Sequence, residues 1–412
     1  MTPEERRRSL ASEEKRLAPE LEIEEDEDEG TEDDELEAGR IQAFLQDRRK
    51  LASTGLLFVL LLVAIYVLVP KLTDTGDTLD RIGDATWYWV VVAIGFNALS
   101  FLAYTALFRG VLGGRTEDDV QRRLDMRASY QVTMAAFAAT LLFSAAGAGG
   151  LALTYWALRK AGMPRRRSAC RMVAFLVMQY GVYLLAVVLF GILLRTGVLN
   201  GFGGKAPLAG TIIPAALAGV FIVIFLLISL IPGDVERRMA SFAGGYRRAH
   251  WVRRMASVPA TVSTGVRTAL AHLRDPRSGW LALGGAVGYW AANIGVLWAS
   301  FKAFGVNVPF GVVVQGFFVG MAANLLPSAA GGVGSIDAGM IGAFVLFGLD
   351  AKDVFPAILT FRAIFFWLPI LPGVVAYFQL RHTVAGWDEE REQKRRPKGY
   401  TSESKVRTAE AS

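Results

Sequence analysis

The chain of 412 residues has a single cysteine, Cys170, and three histidines, His250, His272 and His382. A lone thiol excludes an intramolecular disulfide, and nothing points to an oxidised ectodomain. The histidines all lie outside the apolar blocks described below, which argues against a buried histidine metal site. No metal and no other cofactor is expected. Enzyme signatures are missing as well: there is no HExxH, no P-loop and no DxD sugar-nucleotide motif. No soluble catalytic domain is visible, so the chain is expected not to be an enzyme. The first 40 residues are densely charged, so no cleavable signal peptide is expected.

Uncharged apolar residues dominate, and hydrophobic residues make up 53% of the whole. They gather in long blocks at 54–70, 87–112, 172–194, 208–231, 280–301 and 354–380. Crossing a bilayer takes about 20 apolar residues in a helix. A large soluble helical protein would need polar faces on these segments, and they have almost none. The expected fold class is an all-α integral membrane protein. Two further apolar blocks, 128–158 and 309–347, are interrupted by small residues: LLFSAAGAGG at 141–150 and LLPSAAGGVGSIDAGM at 325–340.

Lys and Arg mark the cytoplasmic side of membrane helices. Arg48, Arg49 and Lys50 precede the first span, and Arg115, Arg122, Arg123 and Arg127 follow the second. The block 128–158 is followed by RKAGMPRRRSACR, so basic residues flank it on both sides. A block with both ends on one side must enter, break and return. Its halves, about 15 residues each, are short for two full spans. We therefore expect a re-entrant hairpin from the cytoplasm. The block 309–347 lacks basic flanks and reads as a hairpin from outside. The result is six full spans and two re-entrant, Gly-broken hairpins, with both termini inside a plasma membrane.

The halves resemble each other. LLFSAAG at 141–147 matches LLPSAAG at 325–331, Phe108-Arg109 matches Phe301-Lys302, and Gln179 and Arg362 stand alike in the helices after the hairpins. The organisation reads as an acidic tail (1–47), expected to be disordered, a membrane domain (48–382) and a charged tail (383–412). Within the membrane domain lie repeat 1 at about 87–195, a basic cytoplasmic segment at 233–278 and repeat 2 at about 280–381. The basic segment reads as an amphipathic helix on the inner leaflet or as an ordinary loop. The acidic tail is a solvated tail or a lid over basic loops. Lys302, near the outer face, runs against the charge rule and is expected to snorkel to the interface.

Inverted repeats with interrupted helices recur in transporters. A broken helix leaves backbone groups unpaired, which is tolerated where they are buried in protein or line a wet cavity. The helix that restarts after the break offers a positive end to an anion. Asp337 follows the second Gly run, and Arg362 lies inside the last span. Charges at that depth face a partner or a cavity. They form either a structural ion pair or a site in which Arg362 holds an anionic headgroup, with Asp337 as counter-ion or proton carrier. Candidate substrate-binding residues are Arg362, Asp337, Ser328, Gly331, Gly332, Gly334 and Asn324 in the second half, and Gln179, Ser144 and Gly147 in the first. Gln315 is a further candidate, with Asn97 and Asn293 weaker ones. For each polar residue taken singly, the competing reading is a helix–helix hydrogen bond, and for the Gly runs it is tight packing.

LLPSAAGGVGSIDAGMIGAFVLFGLD resembles the motif of the lysylphosphatidylglycerol synthase transmembrane region family, in which Pro-x-Pro-Gly-Gly-x-Gly precedes an acidic residue. FRAIFFWLPILPGVVAYFQLR is similar to its Arg-containing final helix, and GGLALTYWALRKAGMPRRRSA to the first-half counterpart. The resemblance covers roughly 50–382. The chain departs from the pattern at Ala329-Ala330, where Pro-Gly is usual, and at Asp337, where Glu is commoner. The family includes the flippase half of bacterial multiple peptide resistance factors, which moves aminoacylated phosphatidylglycerol between leaflets. Their soluble aminoacyl-transfer domain follows the membrane part, whereas about 30 residues follow the last span here. The resemblance therefore implies a transport module that moves an anionic or lipid-linked substrate. Two other readings stay open: a non-catalytic membrane partner of a glycosyltransferase or lipid-modifying enzyme, and a membrane enzyme acting on polyprenyl phosphate. Expected partners are membrane lipids and, in the second reading, a membrane-associated glycosyltransferase or synthetase; nucleic acid is not expected.

Overall fold

The structure is a computed structural model that describes residues 85–112, 118–142, 148–199, 206–230, 262–271, 273, 276–325 and 334–395. The expected first span (54–70), most of the basic segment at 233–278, and both Gly-run centres lie outside the described residues. All regular elements among the described residues are helical. In chain order they are α1 (Trp87–Leu112), α2 (Asp118–Arg123), α3 (Met126–Leu142), α4 (Ala148–Lys160), α5 (Arg165–Arg195), α6 (Ile212–Ser229), α7 (262–271), α8 (Pro276–Ala303), α9 (Phe310–Met321), α10 (Ser335–Leu346), α11 (Ala351–Arg362) and α12 (Ile370–Arg395). A π-helical turn over Ala363–Trp367 joins α11 to α12.

Sequence sets several of the helix starts. Asp125 accepts a hydrogen bond from the Ala128 N–H at 2.7 Å and caps α3. Asp350 does the same for α11, through the Lys352 N–H at 3.0 Å. Pro164 and Pro309 immediately precede α5 and α9, where their missing N–H groups cost nothing.

Among the described residues, five stretches are long and apolar enough to cross a membrane: Trp87–Leu112, Arg165–Arg195, Leu208–Ile228, Gly279–Ala303 and Ala351–Arg391. They coincide with five of the six expected spans. Helix α6 turns Leu217, Val220, Phe221, Val223, Leu226 and Leu227 outward. In water such a face would be an aggregation site, and in a bilayer it is the surface that lipid tails cover.

Helices α1 and α8 form the central pair and run antiparallel. The Thr86 N–H bonds the Ala303 carbonyl at one end, and Gly110 meets Ala282 at the other. Gly285 lies directly on the main chain of Leu107 and Ala103. A side chain there would force the helices apart, so glycine permits the close approach.

The two broken blocks each fold back on themselves. Gly150 of α4 sits against Ala136 and Thr140 of α3, and Arg123 just before α3 reaches the Ala161 carbonyl just after α4. Gly320 of α9 packs on Met340 of α10, and Gly316 packs on Phe344. The arms are 17 and 13 residues in the first hairpin and 12 and 12 in the second. At 1.5 Å per residue they reach about 18–26 Å, short of the roughly 30 Å hydrocarbon core.

The hairpins open toward opposite ends of the central pair. At one end Arg171 donates to the Leu112 carbonyl at 2.8 Å, beside the mouth of the first hairpin. At the other end Gly311 contacts Leu194 and Leu199, and Gly210 contacts Phe347, beside the mouth of the second. Lys302 belongs to this second end, where its ammonium donates to Asn307. The last helix runs to Arg395, well past position 383, and buries Val384 and Trp387. Lys160 and Arg123 pair with Asp388 and Glu390 at 3.2 and 3.4 Å, fastening this extension to the first hairpin.

Candidate functional site

The chemistry converges on the junction of α10, α11 and the π turn. Arg362 is the last residue of α11 and its side chain is 4% exposed. Its Nε donates to Asp337 Oδ1 at 2.8 Å. The Phe366 ring lies against the guanidinium, with Cζ 4.5 Å from the ring centroid, a cation–π contact. Asp337 stands in the first turn of α10 and its other oxygen accepts the Gly334 N–H at 2.9 Å. Gly334 has φ +85°, a left-handed turn that glycine adopts without strain.

This geometry qualifies the expectation of an open anion site. Asp337, in the first turn of α10, puts its carboxylate at the positive end of that helix, where it takes the N–H of Gly334, the residue before the helix. One carboxylate thus serves a helix end and a buried guanidinium together. Arg362 and Asp337 cancel in charge, and Asp337 is a quarter exposed while Arg362 is nearly enclosed. An incoming anion would therefore meet the aspartate first and would have to take its place on the arginine.

The π turn has a cause in the sequence. Pro369 has no N–H, so it cannot bond the Phe365 carbonyl four residues back, and its ring crowds that carbonyl. The chain widens instead, and the Leu368 N–H bonds the Ala363 carbonyl, five residues back, at 3.1 Å. π turns of this kind recur at functional sites.

The expected residues separate into groups. Arg362, Asp337 and Gly334 come together. Ser328, Gly331, Gly332, Ser144 and Gly147 lie outside the described residues. Asn324 sits exposed in a short 3-10 turn at Ala322–Leu325 that ends α9. Gln179 is buried, but its main-chain carbonyl takes the Trp290 indole N–H at 2.8 Å. The rings of Trp290 and Phe317 stand between it and Phe361 of α11. Gln315 is fully buried and donates to the Gly210 carbonyl at 3.0 Å, which is a helix-to-loop bond away from the ion pair. Asn293 donates to the Tyr289 carbonyl of its own helix. Asn97, a weak candidate from sequence, reaches the π turn itself, with its Nδ2 2.9 Å from the Ile364 carbonyl. The signal that could have promoted it is the Pro369–Pro372 pair, which makes a leftover carbonyl in this span predictable. Among the described residues no cluster of His, Cys, Asp and Glu could hold a metal ion.

An all-helical bundle with lipid-facing spans, two folded-back hairpins and a charge pair at the break defines a multi-pass membrane protein. The chain belongs to the lysylphosphatidylglycerol synthase TM region family, which it matches over residues 54–373. A comparison with curated proteins gives no match.

Proposed function

We propose that this protein carries an anionic lipid, or a lipid-linked anion, from one leaflet to the other. Arg362 holds the anionic group and Asp337 is the resident counter-ion that the group displaces. The observation that carries this reading is the Arg362–Asp337 pair, buried beside an interrupted helix in a protein of this family. An unpaired buried charge is costly, so Arg362 has to exchange one partner for another rather than stand alone. A phosphate or phosphodiester suits the exchange, because a guanidinium offers it several parallel N–H donors. The quarter-exposed aspartate is the more accessible member, and in this reading it swings out while Phe366 keeps the guanidinium in place.

The arrangement of helices supports an inverted repeat. Matching segments α1 and α8 run antiparallel, and the hairpins open toward opposite ends. Basic residues Arg123, Arg159, Lys160, Arg166 and Arg171 crowd the end where the first hairpin opens, and this end faces the cytoplasm in our reading. The test is reconstitution into vesicles that carry a fluorescent headgroup-labelled anionic lipid. Transfer to the quenchable leaflet should rise above protein-free vesicles and fall when Arg362 is changed to Leu. Equal rates for wild type, Arg362→Leu and empty vesicles would reject the proposal.

A further inference from the structure

We infer that Asn97 is a positioning residue for Arg362: across the central helix pair, it holds the π turn that aims the guanidinium at Asp337. This rests on the reading of Arg362 as the anion-binding group. In a regular helix the Ile364 carbonyl would bond the Leu368 N–H, but that N–H is turned to Ala363. The next donor along the chain would come from residue 369, which is proline. Ile364 is therefore left with a carbonyl that the main chain of its own turn cannot serve, inside a buried turn where Ile364, Phe365 and Phe366 all exclude solvent. The Asn97 amide, 3% exposed, supplies the missing donor at 2.9 Å. Its own oxygen Oδ1 is buried and meets no hydrogen-bond partner among the described residues, so donation to Ile364 is the bond the side chain makes there. The opposite amide orientation would set oxygen against oxygen.

The turn that Asn97 holds also carries Phe366, the ring against the Arg362 guanidinium. Fixing the Ile364 carbonyl fixes the register of the turn, and with it both the backbone and the ring that aim Arg362. The first half offers a counterpart. With Phe108-Arg109 set against Phe301-Lys302, Asn97 falls on Trp290. Trp290 of α8 donates to the Gln179 carbonyl of α5 at 2.8 Å. Each helix of the central pair thus gives one side-chain donor to a carbonyl in the helix that follows the other half's hairpin. Only the second-half acceptor lies in a π turn, next to a charge.

The test is a double-mutant cycle run in two backgrounds, on the full-length protein in detergent, with thermal unfolding as the readout. Arg362→Leu and Asp337→Asn, singly and together, give the coupling of the ion pair. In an Asn97→Ala background that coupling should fall by about half or more, because the guanidinium is no longer held on the carboxylate. Asn293→Ala is the control, since Asn293 is a buried asparagine of the same helix pair that bonds its own helix; it should leave the coupling unchanged. If Asn97→Ala proves too unstable to purify, Asn97→Ala with Pro369→Ala restores a main-chain N–H to the turn, and it should recover both folding and coupling. An undiminished coupling in the Asn97→Ala background, or an equal loss with Asn293→Ala, would overturn the inference. Vesicle transport is measured in parallel. A wild type that moves no lipid would count against the transport reading while the coupling result still decides the role of Asn97.

Discussion

At the scale of the residue, the Arg362–Asp337 pair has to be separated from a purely structural ion pair. Removing Asp337 strands the buried Arg362 charge, at a cost of about 3–5 kcal/mol, and removing Arg362 costs less because the quarter-exposed Asp337 keeps the Gly334 N–H. Both single changes, Arg362→Leu and Asp337→Asn, should therefore lower the unfolding temperature in detergent. The double change removes both charges, and the amide that Asp337→Asn introduces keeps an acceptor oxygen for the Gly334 N–H. The double variant should unfold near the wild-type temperature and yet move no anionic lipid. A stable double variant with full transport would leave the pair a structural role only. Gly334 makes a second test. Its φ of +85° costs a residue with a Cβ about 1–2 kcal/mol. Gly334→Ala should therefore destabilise measurably, although a Cβ there would meet nothing within 4 Å among the described residues. Gly342→Ala, in the same helix and equally open, should not.

At the scale of the element, adjacent glycines in α8 differ sharply. Among the described residues a Cβ at Gly284 would meet nothing within 4 Å, whereas one at Gly285 would press into the Leu107 main chain. Gly285→Leu should abolish a monodisperse, folded protein on size-exclusion chromatography, and Gly284→Leu should leave the elution profile intact. Equal behaviour would mean that the central pair does not depend on this contact. Five of the six expected spans were legible in the sequence, because long uncharged runs have few alternatives to a membrane helix. The hairpin folds of 126–160 and 310–346 were also legible, from basic residues on both flanks of the first and small residues inside both. The π turn was not foreseen, since it arises from one missing N–H at Pro369 inside an otherwise uniform apolar run. The partners of Gln179, Gln315 and Asn97 were not legible either. All are lone amides in apolar helices, and only packing decides which of them meets a loop, an indole or a released carbonyl. The small-residue runs proved mixed in purpose: Gly334 makes a turn, while Gly150 and Gly339 sit where a Cβ would strike the other arm of the hairpin.

At the scale of the whole molecule, the two ends differ in charge, and that difference predicts an orientation in the membrane that can be tested. Arg123, Arg159, Lys160, Arg166 and Arg171 cluster at the end where the first hairpin opens, and the extension of α12 is pinned there through Asp388 and Glu390. The opposite end holds Val198, Lys302 and the Asp350 cap of α11. Retention of Lys and Arg on the cytoplasmic side then places Met126 and His382 inside, and Val198 and Lys352 outside. Single cysteines at these four exposed positions report the answer in a Cys170→Ser background, since Cys170 is the one native thiol and is buried. In intact cells an impermeant maleimide should label Val198→Cys and Lys352→Cys, and it should reach Met126→Cys and His382→Cys only after permeabilisation. The four positions are coupled by the fold, so they should switch as two pairs. The reverse pattern would invert the protein in the membrane and would place the first hairpin's mouth on the outer face. Labelling of Met126→Cys but not His382→Cys would be more serious, because Arg123 and Glu390 tie those two segments to one end, and no single orientation of this fold could satisfy it.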